Sequence, residues 1–424
     1  LSDVSILSVS FDSLLSEVRK MPSRDRVACI INVSRRNEKE IDGVKKQERL
    51  LMEILPISYG KKRKEVLLHL VTICSNLDRF GIPCAELRGL KWIELLEKNH
   101  SLSQEEEWQV SEIKALLLNR SGNQDEFLPI WYKLLKQYRE ADRPEDVGKC
   151  LLTIANHFVM LEDYDNALPL YEEAYQLAVE YEFVDLQKSS GIMLIKHLCG
   201  AGYYSRSLEY YNKTNQEITF NPAMQNEVVK SYMELNKPDS ARIYLAKRLL
   251  LEGGNKIALN CMMAETYIHE GQEDSAFVFL DRAMKSYKEK AKNYQRKDRE
   301  AILPNCFLSP CYLFADLLWK KGKIQQASLY YTIVEPLMKE IVKTPVRMEL
   351  QMKALTNFSS FCRETKQYEK ALDLLARRDS ILQTYLEFKA KNDKKNYAER
   401  LKIQELKHEL NESEDVNRIN THVA

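Results

Sequence analysis

A spaced alternation of small and aromatic residues recurs along this chain and limits what it can fold into. One unit reads Ala155, Phe158, Tyr164, Ala167, Tyr171, Ala174; a later one reads Ala264, Tyr267, Ala276, Leu280, Ala283 on the same spacing. A small marker returns at Ala167, Ser207, Ala241, Ala276, Ala327 and Ala371, at intervals of 40, 34, 35, 51 and 44 residues. Four positions after each stands a bulky residue: Tyr171, Tyr211, Leu245, Leu280, Tyr331 and Leu375. Twelve positions before each stands a partner marker: Ala155, Ile195, Val229, Ala264, Ala315 and Ser359. A short side chain lets two helices approach, and the bulky one fills the space a turn further on. A unit of this size cannot bury its own apolar face, so it must stack on a neighbour.

The expected fold is therefore all-α: a right-handed superhelix, or solenoid, of stacked helix pairs, with a long C-terminal helix. Gly202, Gly271 and Gly322 each lie five residues before a marker, where a left-handed helix end suits them. The widest interval, at about 285–308, reads as a lengthened, highly charged helix followed by a loop bearing Pro304. Upstream, Ala115, Gly122, Phe127 and Trp131 fit one more unit, and a weaker helix pair covers Lys61 to Lys98.

The pattern divides the chain into an atypical N-terminal helical cap (1–60), degenerate helix pairs (61–145), an array of about six units (146–385) and a charged C-terminal helix (386–424). Tyr397, Leu401, Ile403, Leu406 and Leu410 put a thin apolar stripe on that last helix. Such a stripe suits a short coiled coil, through which two copies could pair; a lone exposed helix carries the same pattern.

Charge narrows the partners. Lys+Arg is 63 against 62 Asp+Glu, so no global field recruits nucleic acid. The run Lys61-Lys62-Arg63-Lys64 reads as a solvated helix start. Nine scattered cysteines do not form a disulfide framework, and most sit in apolar helical stretches as small hydrophobes. Free thiols favour a reducing compartment. No apolar run reaches the length needed to span a bilayer.

No constellation suggests catalysis, a metal or a cofactor. The seven histidines include no pair at metal-binding helical spacing, and there is neither a phosphate-binding glycine loop nor a nucleophile elbow. His157 and His197 hold equivalent places in adjacent units. The remaining functional signal is a stripe one residue past each first-helix marker: Asn156, Lys196, Lys230, Glu265 and Asp316, with Asn226 one turn before Lys230. Amide and ammonium donors suit a peptide backbone or carboxylate. Ordinary solvated polarity produces the same stripe. Trp319, one turn beyond Asp316, reads either as packing or as an exposed anchor.

Ala155, Ala167, Tyr171, Ala264, Ala276, Ala315, Ala327 and Ala371 together resemble the tetratricopeptide repeat, with Ser207 and Pro238 as departures. The resemblance implies a groove lined by the first helices and a protein or peptide ligand held there. Related repeats that hold a peptide C-terminus use Asn and Lys similarly. A narrower resemblance rests on Phe11-Asp12-Ser13-Leu14-Leu15, Asp25-Arg26-Val27, Arg378-Asp379-Ser380 and Tyr397. These look like the repeat-bearing sensor regions of Bacteroidetes membrane-anchored signalling proteins, of the histidine kinase or helix-turn-helix regulator type. That implies an extracytoplasmic, periplasmic sensing region cut before its membrane helix, with membrane contact only through a segment absent from these residues. The alternative is a free-standing cytoplasmic scaffold or chaperone adaptor.

Overall fold

The computed structural model describes residues 11–34, 40–121, 126–214, 224–251, 255–292, 305–338 and 344–423, with side chains of the last helix described as far as residue 398. Among these residues there are nineteen α-helices. They are α1 (Phe11–Lys20), α2 (Ser23–Ser34), α3 (Ile41–Ile54), α4 (Gly60–Arg79), α5 (Ala85–Asn99), α6 (Gln104–Ser121), α7 (Phe127–Glu140), α8 (Pro144–Met160), α9 (Tyr164–Glu180) and α10 (Val184–Gly200). There follow α11 (Tyr204–Lys213), α12 (Gln225–Glu234), α13 (Pro238–Leu250), α14 (Lys256–His269), α15 (Glu273–Lys292), α16 (Leu308–Lys320), α17 (Ile324–Val334), α18 (Pro345–Glu364) and α19 (Tyr368–Val423). Consecutive helices pack as pairs, so the fold is all-α and TPR-like, as the marker spacing requires. The chain divides into two compact units, residues 1–154 with 402–424 and residues 155–401.

In the unit of residues 155–401 the markers are the points of closest helix approach. Ala155, Ala167, Ala264, Ala276, Ala315 and Ala327 are all fully buried, and Ala371 nearly so. Where serine replaces alanine, the register still holds, because the hydroxyl turns to the partner marker. Ser207 Oγ donates to the Ile195 carbonyl at 2.8 Å, and Ser359 Oγ to the Ala371 carbonyl at 3.0 Å, both across the twelve-residue marker separation. A buried hydroxyl satisfied in this way adds little cost over alanine.

The turns repeat as closely as the markers. Five residues before each marker the backbone is left-handed, at Glu162 (φ 57°), Gly202 (85°), Asn236 (55°), Gly271 (71°), Gly322 (77°) and Lys366 (60°). Each turn closes with paired bonds typical of a Schellman end. In the turn at Gly322, Lys323 N–H reaches the Leu318 carbonyl at 2.9 Å and Gly322 N–H reaches Trp319 at 2.8 Å. The same pair recurs at Lys366, where Gln367 N–H reaches Cys362 at 2.7 Å and Lys366 N–H reaches Arg363 at 3.2 Å. Half of the six turns thus hold this shape without glycine, at about 1 kcal/mol or more each.

The other unit has its own core of Val, Ile and Leu from α1 to α6, including Ile30, Leu51, Val66, Leu70 and Ile93. It follows the same rule with a marker absent from the alanine pattern. Gly89 lies five residues after left-handed Cys84, and a Cβ there would meet Leu117 Cδ1 at 2.5 Å and Cys74 Cβ at 3.1 Å. A side chain there would have to displace the tip of Leu117 and press on Cys74. Ala115, Phe127 and Trp131 are buried in α6 and α7 on the expected spacing, while Gly122 lies outside the described residues. Helix α6 opens with a capping box: Ser103 N–H donates to Glu106 Oε2 at 2.8 Å, and Glu106 N–H to Ser103 Oγ at 3.4 Å.

The lengthened helix of the widest interval is α15, 20 residues against 11 in α17. Pro304 and the rest of that loop lie outside the described residues. Helix α19 runs on without a breaker, tied to α18 by Tyr385, whose hydroxyl donates to Glu349 at 2.7 Å. Tyr397 is exposed; the side chains of Leu401, Ile403, Leu406 and Leu410 lie outside the described residues. Among the described residues no helix is long and apolar enough to cross a membrane.

Candidate functional site

In residues 155–401 the even-numbered helices pack on one another: α10 on α12, α14 on α16, and α16 on α18. Gln225 of α12 reaches Met262 of α14 by Nε2 to Sδ at 3.3 Å, continuing the row. The markers turn one side of each even helix towards its second helix. The residue one position on then points to the free side of the row, here called the inner face. Asn156, Lys196, Asn226 and Lys230 are exposed there, and Glu265 and Asp316 are half-buried.

Asn156 and Asp316 share a partner type. Tyr171 Oη donates to Asn156 Oδ1 at 2.5 Å, and Tyr331 Oη donates to Asp316 Oδ1, each across fifteen residues. Both tyrosines are the bulky residues four positions after a marker. Their rings fill the interhelix space while the hydroxyls reach the inner face. Asn357 of α18 donates to the second carboxylate oxygen of Asp316. Desolvation raises the Asp316 carboxyl above the ordinary range, and these two hydrogen bonds work against that rise. Asp316 is thus a repeat-to-repeat tie. Asn156 keeps its amide donors for another partner.

Lys196 and Lys230 differ from Asp316 in having no acidic partner among the described residues. Lys230 Nζ lies 5.9 Å from the Tyr204 ring centroid, a cation–π contact that leaves the ammonium hydrated on its other side. Beside Lys196, His197 is buried and stacked on Tyr171, with centroids 5.4 Å apart. Desolvation, and then the Lys196 charge, bring its pKa down to about 4, so the imidazole is neutral near pH 7. His157 is equally buried. Both histidines belong to the packing beneath the stripe.

Glu265 has no tyrosine. Fifteen residues on stands Leu280, which carries no hydroxyl. The carboxyl keeps some exposed surface but lies deep between α14 and α16, and desolvation pushes its pKa up to about 7 against a hydrogen bond with Ser309. The groups around it are uncharged in their ordinary forms: Cys261, Cys306, Cys311 and Tyr312. Trp319 is half-buried, its ring edge-on to Phe361 at 5.7 Å and its Nε1 donating to Glu364 at 3.1 Å. It belongs to the α16–α18 contact.

A second recess lies in the other unit, a cleft of about 560 Å³ lined by Leu15, Arg19, Glu48, Met52, Arg88 and Trp92 among others. Its charges are largely matched. Arg19 makes a two-pronged pair with Glu53 at 2.8 and 3.1 Å, and Arg88 one with Glu48 at 3.0 and 3.4 Å. Among the described residues there is no group of three or more His, Cys, Asp or Glu arranged to hold a metal ion.

Sequence spacing placed the stripe residues on one row of helices. It did not reveal the tyrosine hydroxyls, Asn357 or Ser309. The two tyrosines were legible as packing, and their fifteen-residue offset from Asn156 and Asp316 was the available signal.

No protein-family model matches this chain, and neither does any curated protein. Solved structures do match. The apo form of RapI is 13% identical with a TM-score of 0.52, over 87% of this chain and 98% of that one. A Rap protein complexed with competence and sporulation factor is 14% identical with a TM-score of 0.39, over 87% of this chain and 100% of that one. A STAND protein with a tetratricopeptide repeat sensor from Pyrococcus horikoshii is 14% identical with a TM-score of 0.40, over 92% of this chain and 65% of that one. At this identity, the likeness to RapI is one of fold: a TPR-like helical repeat.

Proposed function

We propose that the inner face of residues 155–401 binds a peptide or an extended protein segment, and that the chain is a binding region and not an enzyme. The observation that carries this reading is the pair Lys196 and Lys230. They are exposed at equivalent places on neighbouring helices, without acidic partners among the described residues, and flanked by the amides of Asn156 and Asn226. Neighbouring helix axes lie about 8–10 Å apart. Groups at that spacing engage successive parts of an extended ligand. They are too far apart to act together on one atom, which needs reach of about 3 Å.

The test is fluorescence anisotropy with a labelled peptide alternating aspartate and alanine. Lys196→Glu combined with Lys230→Glu should weaken binding at least about tenfold, because like charges then face the ligand. The unfolding transition of the double variant should match that of the parent. Equal titrations for parent and variant would remove the inner face from the account.

We extend the reading to a sensing role in a membrane-anchored bacterial signalling protein, in which ligand binding alters the stacking of the pairs and the pose of α19. This rests on the resemblance carried by the Phe11–Leu15 and Arg378–Ser380 segments. Burial holds thiols such as Cys74 and Cys311 up at about 12, which keeps them unreactive even in oxidising surroundings. The complete reading frame decides it. A secretion leader before Leu1 and an apolar span after Ala424 support the extension. A frame that lacks them overturns it and leaves the binding reading standing.

A further inference from the structure

The inner face carries two kinds of uncompensated charge, arranged in order. Lys196 on α10 and Lys230 on α12 come first, and neither has an acidic partner among the described residues. Glu265 on α14 comes next, at the equivalent position, and no cation contributes to its electrostatic surroundings. Asp316 on α16 ends the row with both oxygens engaged by Tyr331 and Asn357. The difference between the two acids has a local cause. A tyrosine fifteen residues on engages Asp316, and Leu280 in the same place leaves Glu265 to Ser309. An ammonium, ammonium, carboxyl sequence on three successive helices of the row therefore has no oppositely charged partner among the described residues.

Resting on the peptide-binding reading above, we infer that the inner face selects a dipolar peptide, with acidic groups opposite Lys196 and Lys230 and a basic group opposite Glu265. The spacing follows from the fold. For the packed pair α10 and α12, axes about 8–10 Å apart, read by an extended chain advancing about 3.3–3.6 Å per residue, put the two acidic groups about three residues apart on the ligand, and the basic group is placed one such step further on, where α14 joins the row through Gln225 and Met262. Complementary charge at three points also rejects a wrong order. A basic residue opposite Lys230 is repelled, and an acidic one opposite Glu265 is too.

Three capped, labelled alanine heptapeptides test this, the caps removing the terminal charges. The first has aspartate at its first and fourth positions and lysine at its seventh. The second has the same composition with lysine at the fourth position and aspartate at the first and seventh. The third has aspartate at the first and fourth positions and no lysine. Swapping the lysine to the middle keeps net charge constant and cannot be undone by binding in the opposite direction.

The first peptide should bind about tenfold more tightly than the second, and more tightly than the third. Glu265→Gln should bring the first peptide down to the affinity of the third and leave the third unchanged or improved. Equal affinity for the first and second peptides, with binding lost in the Lys196→Glu, Lys230→Glu protein, overturns the dipolar assignment and leaves the peptide-binding reading intact. No binding of any of the three up to about 1 mM overturns both.

Discussion

At the end of α8, and again in α16, the residue past the marker receives a tyrosine hydroxyl from its second helix. In α14 the same position receives nothing from Leu280. The helices are built on one register, with buried alanines at Ala155, Ala264 and Ala315 and a left-handed turn following each. Between the two acids, α14 and α16 thus differ in one bulky position: Tyr331 engages Asp316, and Leu280 leaves Glu265 to Ser309. The packing position beneath the surface sets the chemistry above it.

The most severe way to break this comparison is to destroy the register both regions share. Ala276 is fully buried at the α14–α15 contact, and Ala276→Trp forces an indole into a space made for a methyl group. Overpacking of that size should cost about 3 kcal/mol or more, read as a lowered and broadened thermal transition. An unchanged transition would show the register to be misplaced.

Next come the tyrosines. Tyr331→Phe leaves a half-buried carboxylate with Asn357 alone and should cost about 2 kcal/mol in denaturant unfolding. Tyr171→Phe frees an exposed amide that water can serve and should cost about 1 kcal/mol or less. Equal costs would mean that the hydroxyl-to-inner-face bond is worth the same in both places and that burial of the acceptor is irrelevant.

Glu265 sharpens the comparison through pH. Its pKa in the fold is about 7, above the ordinary glutamate value, so the folded state holds its proton longer than the unfolded chain does. Stability from this group is complete below about pH 4.5 and is lost as pH rises through 7. Glu265→Gln should therefore unfold about 1 kcal/mol less readily than the parent at pH 8, allowing for partial solvent screening, with the gap closing as pH falls towards 4.5. A gap that widens in acid would contradict a buried carboxyl with no cation beside it.

The smallest effects lie in the turns. Lys366→Gly relieves a left-handed lysine and should stabilise by about 0.5–1 kcal/mol, whereas Gly322→Ala imposes the same strain and should destabilise by about 1 kcal/mol. Changes of the same sign would show that the two turns are not equivalent.

These particulars also show how far the residues alone could be read. The alanine markers and the glycines at 202, 271 and 322 were legible because close approach and positive φ each demand a special residue. Glu162, Asn236 and Lys366 hold the same turn with ordinary side chains, so composition carried no sign of it. Gly89 was missed because a glycine inside a degenerate pair looks like a breaker until its neighbours Leu117 and Cys74 are seen. On the inner face, the exposure of Lys196 and Lys230 followed from helical phase. The capture of Asp316 by Asn357 depends on how one repeat meets the next, and no spacing within a single unit encodes that.

The central claim is that ligand lies along the inner face of α10, α12 and α14. The direct measurement is photo-crosslinking of an acidic peptide carrying a central diazirine, with the modified residues mapped by mass spectrometry. The account predicts modification on these three helices within a turn of Lys196, Lys230 and Glu265. Modification confined to the second helices α11, α13 and α15 would contradict it.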